Sequence, residues 1–301
     1  MEIDDRLLSL MQNPVILGFH LSRVPESERS GVLNSFGTGF LRRFELKGSI
    51  DDLLYGIKMV EKALEAAPSN SPYRTSIFNN LGVGLQLRFE RMGSMEDLNR
   101  AIEANEKAVQ SFALDHPVRP MCLSNLASAL EKRFERTGSM EDLNRSIEIN
   151  KQAVQSTSPD HSERCATCLN NLGSALLTRF ERTGSIEDVN LAIDTTDQAV
   201  HLARDHPSQA LCLNNLGTAL LMRFEKTGLM TDLDRAIDTT EQAARLTALD
   251  HPKKAMYLNN FGTALQNRFE RTGSIEDINR AIKTIHQTVQ STPADHPNRG
   301  C

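Results

Sequence analysis

The stretch RFERTGSMEDLNR, residues 133–145, occurs in six recognisable copies along the 301-residue chain. The copies are RFELKGSIDDLLY (43–55), RFERMGSMEDLNR (88–100), RFERTGSMEDLNR (133–145), RFERTGSIEDVNL (179–191), RFEKTGLMTDLDR (223–235) and RFERTGSIEDINR (268–280). Their Phe residues follow one another at intervals of 44 to 46 residues. A fixed period of this length is typical of repeat architectures. The stretch is therefore either a binding site used six times or a structural module present six times.

Each repeated unit predicts two helices joined by a tight turn, as the fourth unit shows. The apolar residues of its first half recur at helical spacing, at Leu169, Leu172, Leu176 and Phe180. Gly184 suits the position just after a helix end, and Ser185-x-x-Asp188 resembles a capping box that begins the next helix. In the fifth unit Leu229 replaces that Ser, so we expect a less sharply defined helix start, capped by Thr231.

The stretch is thus predicted to be structural, and it indicates how the whole chain is organised. A helical hairpin of this size cannot bury its own apolar face, so neighbouring hairpins must stack. The predicted fold is all-α, an α-solenoid of about six helix-turn-helix repeats forming a superhelix with a concave inner surface. The expected divisions are a degenerate capping helix at 1–24 and an array at 25–301, with units at about 25–69, 70–114, 115–159, 160–204, 205–249 and 250–294, then the start of a truncated unit.

Composition and charge argue against several classes of partner. The chain is 39% hydrophobic and 24% charged, with a formal net charge of −5 and no Trp. Because it has neither a basic stripe nor aromatic stacking platforms, we expect no nucleic-acid partner. The acidic N-terminus does not resemble a secretory signal, and no apolar run reaches the length of a membrane span. We therefore expect no membrane partner and a cytoplasmic location, which the irregularly spaced cysteines also fit.

Small and apolar residues in the two helices resemble a known repeat family. The first helices carry Leu-Gly and a further Leu, as in Leu172-Gly173 and Leu176, and the second carry Ala residues seven apart, as in Ala192 and Ala199. This pattern is similar to the tetratricopeptide repeat, in a form about eleven residues longer than usual. The long form resembles the kinesin-light-chain type, and still more the arrays of fungal proteins that often precede a caspase-like CHAT domain or accompany a nucleotide-binding signalling module.

The resemblance implies that one side of the first helices lines a concave groove. Asn pairs lie on that side, and a small or hydroxyl residue follows one turn later. The candidate partner-binding residues are Asn80, Asn125, Asn171, Asn215, Asn260, Ser128, Ser174, Thr218 and Thr263. An Asn amide could bind a peptide backbone because it supplies both a donor and an acceptor. The alternatives are a hydrogen bond to the neighbouring repeat or a loop cap for Asn, and plain helix surface for the hydroxyl residues.

Two sets of basic residues repeat with the same period. The RFE arginines could bind acidic ligands as a ladder, or could pair between repeats and with helix carbonyls; they are Arg43, Arg88, Arg133, Arg179, Arg223 and Arg268. A basic residue also recurs near the start of the first helices, at Arg29, Arg74, Arg119, Arg164, Lys254 and Arg299. Because positive charge opposes the helix dipole there, we expect an Asp or Glu side chain to compensate.

Histidines and cysteines occupy repeated positions too. The loop histidines are His116, His161, His206, His251 and His296. Positions in successive repeats are too far apart to share a metal ion, so we expect these rings to hydrogen-bond their own loops and expect no metal. Cys165-x-x-Cys168 resembles half of a redox or zinc site. Cys168 nevertheless aligns with Cys122 and Cys212, which indicates a packing position.

The sequence contains no phosphate-binding loop and no nucleophile elbow, so we predict neither an enzyme nor a cofactor. The predicted function is a non-catalytic protein–protein interaction scaffold that binds a peptide or partner helix in the groove. The alternative is the sensor or oligomerisation arm of a larger multidomain signalling protein, of CHAT protease-like or nucleotide-binding type, whose effector domain is absent. The sequence stops at DHPNRGC, where another first helix is expected. Either the chain is truncated there, or the uncapped face of the last repeat docks onto another chain, which could be a second copy of itself.

Overall fold

The computed structural model describes residues 5–113, 115–158 and 160–291. Over these ranges the chain forms fourteen α-helices and no β-strand, which confirms the all-α prediction. The helices are α1 (Asp5–Met11), α2 (Pro14–Ser22), α3 (Glu26–Lys47), α4 (Ile50–Ala66), α5 (Arg74–Met92), α6 (Met95–Ser111), α7 (Arg119–Thr137), α8 (Met140–Gln155), α9 (Ser162–Thr183), α10 (Ile186–Leu202), α11 (Gln209–Thr227), α12 (Met230–Leu246), α13 (Lys254–Thr272) and α14 (Ile275–Ser291). No helix in the described ranges has both the length and the apolarity needed to cross a membrane.

The chain divides into two compact units, Met1–Ser156 and Thr157–Cys301. The first contains α1 to α8, and the second contains α9 to α14. From α3 onward the helices pair into hairpins, with α3/α4, α5/α6 and α7/α8 in the first unit and α9/α10, α11/α12 and α13/α14 in the second. The start of a seventh repeat, which the sequence places after residue 294, lies outside the described residues.

The turn between the two helices of a hairpin is built as the sequence predicts. The Gly after every first helix has φ between 68° and 78°, the left-handed conformation that Gly adopts without strain. In the hairpins of α6, α8, α10 and α14, the preceding Ser accepts a hydrogen bond from the backbone N–H of Asp three residues later. These two features end one helix and start the next within two residues.

The fifth hairpin begins its second helix at the same place as the others, so the expected Thr231 cap is wrong. Helix α12 begins at Met230, directly after Leu229, which provides no side-chain cap. The backbone N–H of Asp232 donates to the carbonyl of Leu229 at 3.0 Å, and the Asp232 carboxylate binds Arg223 at 2.7 Å. These contacts fix the helix start without a capping hydroxyl.

Hairpins stack through apolar residues of a second helix and the next first helix. In the second unit, Leu233 and Ile237 of α12 pack against Phe224 of α11 and against Phe261 and Leu265 of α13. The predicted apolar face of α9, from Leu169 to Phe180, is also buried. Since each hairpin completes its core with its neighbour, the arrangement within each unit is that of an α-solenoid.

Within a hairpin, the first-helix Gly allows the second helix to approach closely. A Cβ placed on Gly173 would lie 2.5 Å from Cγ2 of Thr196, and one on Gly217 would lie under 3.0 Å from Cγ2 of Thr240. Thr196 and Thr240 are both buried. The Gly on the first helix therefore leaves room for the threonine methyl group on the second helix.

The N-terminal segment expected to form one degenerate helix forms two short ones. Helix α2 begins at Pro14, and the side chain of Asn13 caps it by accepting from the N–H of Val15 at 2.9 Å. Leu8, Met11 and Leu17 are buried in the core that α3 and α4 form. The Pro and its cap divide the segment, and both parts contribute apolar residues to the first hairpin.

Candidate functional site

The candidate Asn side chains join neighbouring first helices. In the first unit, Asn80 Nδ2 donates to Asn34 Oδ1 at 3.0 Å, and Asn125 Nδ2 donates to Asn79 Oδ1 at 2.9 Å. In the second unit, the matching bonds run from Asn215 to Asn170 at 3.0 Å and from Asn260 to Asn214 at 2.9 Å. The second Asn of one repeat thus binds the first Asn of the preceding repeat. This is the inter-repeat hydrogen bond that the sequence left open as an alternative to ligand binding.

The same Asn residues keep part of their surface open. Asn80, Asn125, Asn171, Asn215 and Asn260 are all half-buried. Their partners, the first Asn residues Asn79, Asn170 and Asn214, are buried. Among the described residues none donates a hydrogen bond to Oδ1 of Asn80, Asn125 or Asn260. In each of these amides the hydrogen bond from Nδ2 fixes the orientation of the side chain, and Oδ1 can accept a hydrogen bond from a partner.

The candidate hydroxyl residues lie one turn further along the first helices. Ser128, Ser174 and Thr218 are half-buried, and Thr263 is exposed. Ser128 Oγ accepts from Gln86 Nε2 at 3.1 Å, while Thr218 Oγ1 donates to the carbonyl of Asn214 at 3.0 Å. Together with the Asn residues they form a polar strip without formal charge on the first helices of each unit, which we call the Asn strip.

The RFE arginines bind an Asp of their own hairpin. Arg133 donates from Nε and Nη2 to the two carboxylate oxygens of Asp142, at 2.8 and 2.6 Å. The same fork joins Arg43 to Asp52, Arg88 to Asp97, Arg179 to Asp188, Arg223 to Asp232 and Arg268 to Asp277. The Asp side chains are between 4% and 8% exposed. Burying a carboxylate costs desolvation energy, and the two hydrogen bonds from the guanidinium offset that cost.

The remaining guanidinium nitrogen, Nη1, links some of these arginines to the preceding repeat, which is part of the inter-repeat pairing expected. Arg133 Nη1 donates to Asn99 at 3.1 Å and Arg223 Nη1 to Asn190 at 2.9 Å, both on the preceding second helix. The hydrogen bond from Arg268 also holds the pKa of Asp277 below its usual range. The repeated Asp was predicted as a helix cap, but its carboxylate mainly clamps the hairpin. An Arg ladder for acidic ligands has no support, since the forks are already occupied.

Three of the basic residues near the start of the first helices, Arg29, Arg74 and Lys254, donate to backbone carbonyls and not to the acidic side chains expected. Arg74 Nη1 donates to the carbonyl of Ala67 at 2.9 Å, and Lys254 Nζ donates to that of Thr247 at 2.8 Å. Arg29 similarly binds the carbonyl of Val24, and Arg119 binds Ser156 Oγ. The last carbonyls of a helix lack intrahelical partners and carry partial negative charge, so they accept these donors. Arg299 lies outside the described residues.

Three of the loop histidines hydrogen-bond their own loops, as predicted. Nδ1 of His116, His206 and His251 accepts from the backbone N–H two residues later, at 3.1 to 3.2 Å. His296 lies outside the described residues. Over the ranges that the structure describes, no three His, Cys, Asp or Glu side chains group as metal ligands would.

The repeated cysteine position is a packing position, as predicted. Cys122, Cys168 and Cys212 are buried, and Cys165 is half-buried. Burial raises the pKa of the Cys122 and Cys212 thiols to about 11, so these side chains stay protonated and unreactive near neutral pH.

A polar cluster in the third hairpin was missed from the sequence. Ser146 Oγ and Asn150 Nδ2 on α8 donate to Glu131 Oε1 on α7, at 2.5 and 3.2 Å. Burial raises the pKa of Glu131, although these two hydrogen bonds partly oppose the shift. A signal was available: the position of Glu131 holds Gln86, Leu177, Leu221 or Gln266 in other repeats, and that of Ser146 holds Ala in most.

Replacing Glu131 by Gln should stabilise the protein near neutral pH, by about 1 kcal/mol. A carboxyl whose folded pKa is raised contributes stability below its unfolded pKa, about 4.3, and loses that contribution as pH rises through the folded value. The difference in unfolding free energy between Glu131→Gln and the parent should therefore grow as pH rises from 4 to 7. Urea unfolding at a series of pH values measures this difference. A difference that stays constant would contradict the buried carboxyl.

Comparisons with known proteins agree with the fold. Residues 121–163 match the tetratricopeptide repeat family. This stretch of the chain thus matches a tetratricopeptide repeat, and the fold of the chain is of the tetratricopeptide-like kind. The computed structure resembles a crystal structure of nearly identical repeats from a Podosopora anserina putative kinesin light chain, with a TM-score of 0.51 and 17% identity over 72% of this chain and 98% of that one. The curated proteins gave no match.

Two further structures share this tetratricopeptide-like fold. One is Pseudomonas aeruginosa pilF, with a TM-score of 0.59 and 16% identity over 89% of this chain and 94% of that one. The other is the APC/C hetero-tetramer Cut9-Hcn1, with a TM-score of 0.60 and 15% identity over 96% of this chain and 46% of that one. At these identities the similarity is one of fold.

Proposed function

We propose that this tetratricopeptide-like chain is a non-catalytic scaffold that binds an extended peptide along the Asn strip of its first helices. The observation that carries the proposal is the set of Asn amides that neighbouring repeats hold in place. Their donor nitrogens are used between repeats, and their outward oxygens can accept from a partner. A preformed row of this kind costs little conformational entropy when a ligand binds.

The spacing of the row favours one peptide conformation. Packed helices lie about 8–10 Å apart, so equivalent Asn oxygens on neighbouring first helices are separated by about that distance. A polyproline II peptide rises about 3.1 Å per residue with three residues per turn, and it has no internal hydrogen bonds. Every third backbone N–H of such a peptide would therefore face the strip and could donate to an Asn oxygen.

Adding bulk to the Asn strip should weaken peptide binding without unfolding the chain. Ser174→Arg and Thr263→Arg place a long charged side chain beside the Asn residues but leave the inter-repeat hydrogen bonds intact. Peptides are first selected from a display library on the parent chain, and their affinities for each variant are then measured by calorimetry. We expect a loss of at least about tenfold, because the added side chain must be displaced or the peptide must shift.

The matched control for these variants is Gln198→Arg on the exposed face of α10. It adds the same side chain to a second helix and should leave the affinity unchanged. N-methylation of the selected peptide one residue at a time should weaken binding with a period of three. Equal affinity for all three variants would contradict binding along the Asn strip, and a uniform N-methyl scan would contradict the proposed peptide conformation.

A second candidate function is the sensor or oligomerisation arm of a larger signalling assembly. The observation that favours it is Ile282 of α14, which is 48% exposed, while Ile237 and Ile193 at the equivalent positions are 2% and 3% exposed. In the earlier hairpins this position is covered by the next first helix. An exposed apolar residue at a position that is buried in other repeats is typical of a contact surface.

Light scattering over a concentration series tests this second function. If α14 docks onto another copy, the mass should rise with concentration, and Ile282→Lys should restore the monomer. Leu191→Lys, at an exposed leucine of α10, is the matched control and should leave association unchanged. A mass equal to one chain at all concentrations would contradict self-association through α14.

A further inference from the structure

We propose that a cavity among α12, α13 and α14 binds a carboxylate attached to an apolar group, such as the C-terminal residue of a peptide or a small carboxylic acid. The cavity has a volume of about 430 Å³, within the usual range for small-molecule sites. Its apolar wall includes Leu249, Leu258 and Phe261, and its polar lining is mostly cationic. No candidate residue of the Asn strip lines it, so this site is independent of the proposed groove.

The two arginines of the cavity share its one acidic side chain, Glu241. Glu241 Oε1 accepts from Arg245 at 2.9 Å and from Arg280 at 3.1 Å. Lys254 is 8% exposed and its ammonium is held by the carbonyls of Ala244 and Thr247, so it adds positive potential without reaching a ligand. Lys283 has no ion-pair partner among the described residues and is exposed at the rim. A second anion would offset part of the excess positive charge of the two guanidinium groups and Lys283.

The excess of positive charge is larger at this site than at the equivalent places in the other repeats. The Arg280–Glu241 pair is one of a series that joins successive second helices, with Arg100–Glu61, Arg145–Glu106 and Arg235–Asp197 as the other described members. Around those three pairs, cations never outnumber acids at the positions equivalent to the cavity lining. The position of Lys283 holds Glu103, Glu148 and Asp238, and that of Arg245 holds Glu65, Gln110 and His201. Only in the α12–α14 set do four cations surround one acid.

The lining selects a singly charged anion with an apolar body. A guanidinium presents paired N–H donors that match the two oxygens of a carboxylate. The Arg280 guanidinium lies 5.5 Å from the centroid of the Phe261 ring, which helps to hold it in place at the apolar wall. An aliphatic or aromatic group on the ligand would pack against Leu258 and Phe261 while its carboxylate meets Arg245 and Lys283.

Binding of 3-phenylpropanoate and of the peptide N-acetyl-Gly-Gly-Phe to the full chain tests the proposal. We expect saturable binding of at least the peptide acid, measured by calorimetry, and no binding of the C-terminally amidated peptide. Lys283→Asp and Arg245→Gln should each weaken binding by about tenfold, because each removes a charge-assisted contact. Both variants introduce a side chain found at the same position of another repeat, so the hairpins should still fold.

The matched controls are Lys62→Asp on α4 and Arg204→Gln after α10, which make the same charge changes at exposed positions away from the cavity. They should leave the affinity unchanged. If 3-phenylpropanoate binds as tightly as the peptide acid, the ligand is a small carboxylic acid; if only the peptide acid binds, it is a chain terminus. The absence of saturable binding of both acids, or an affinity that Lys283→Asp and Arg245→Gln leave unaltered, would overturn the proposal.

Discussion

Arg43→Met should lower the free energy of unfolding by about 2–4 kcal/mol, because it leaves a buried carboxylate without its cation. Arg43 and Asp52 form the most buried of the six clamps, with side chains 9% and 5% exposed. The fork is bidentate at 2.8 and 2.5 Å, and Arg43 Nη1 also binds the carbonyl of Asp5 at 3.1 Å. The substitution therefore affects the hairpin turn and the attachment of α1 together.

A second substitution separates the effect of losing the ion pair from the effect of leaving a buried carboxylate without a cation. In Arg43→Met combined with Asp52→Asn the buried charge is gone, so this double variant should be more stable than Arg43→Met alone. Arg91→Met, at an exposed arginine in the last turn of α5, is the matched control and should change stability by less than about 0.5 kcal/mol. Urea unfolding followed by circular dichroism measures all three. Equal stability of Arg43→Met and Arg91→Met would show that the clamp does not stabilise the hairpin.

Gly173→Ala should destabilise the fourth hairpin by about 2 kcal/mol, although Ala is the better helix former. The added Cβ would lie 2.5 Å from Cγ2 of Thr196. Thr196 cannot turn away easily, because it is fully buried and its hydroxyl donates to the carbonyl of Ala192 at 2.7 Å. Helices α9 and α10 must therefore separate or the threonine must leave its rotamer.

The chain offers a matched control for this overpacking. A Cβ on Gly262 of α13 would lie 3.8 Å from the nearest atom, Cγ2 of Thr284, which is ordinary contact. Gly262→Ala should be neutral or stabilise the protein by about 0.5–1 kcal/mol through helix propensity. Thr196→Ser removes the obstructing methyl group and should restore most of the stability that Gly173→Ala loses. A loss of equal size in Gly173→Ala and Gly262→Ala would contradict the steric explanation.

Local signals made the fold predictable. The Leu stripe and the Gly after each first helix lie within single helices or turns, and the period shows that they recur. The structure has both as predicted, and the Ser before the second helix caps four of the six hairpins. The prediction at Leu229 is wrong because it considers only the missing hydroxyl cap at the start of α12. The Arg223–Asp232 clamp and the backbone hydrogen bonds of the turn fix the helix start there without a hydroxyl.

Longer-range partners were less predictable. The pairing of Asn125 with Asn79, 46 residues earlier, depends on the angle between neighbouring first helices, which no local pattern encodes. The carbonyl partners of Arg74 and Lys254 were missed because backbone groups leave no trace in the sequence. The Arg133–Asp142 ion pair could be predicted from the sequence, because Arg and Asp recur nine residues apart in every copy. The capping-box interpretation assigns that Asp only to the start of the second helix.

The repeated stretch is therefore a structural module, whose Arg and Asp side chains bind each other within each hairpin. We propose that partners bind elsewhere, on the Asn strip of the first helices and in the cavity beside α14. Lys283 and Arg245, which carry the proposal for the cavity, are departures from the repeated pattern.

An NMR titration of the isotopically labelled chain with a peptide selected on the parent protein most directly tests whether the module is structural and the Asn strip binds. The side-chain amide signals of Asn125, Asn215 and Asn260 should shift as the peptide is added. The Nε signals of the clamp arginines Arg88, Arg133 and Arg268 should stay in place. Shifts at those arginines with unmoved Asn amides would mean that the repeated stretch is itself the binding site.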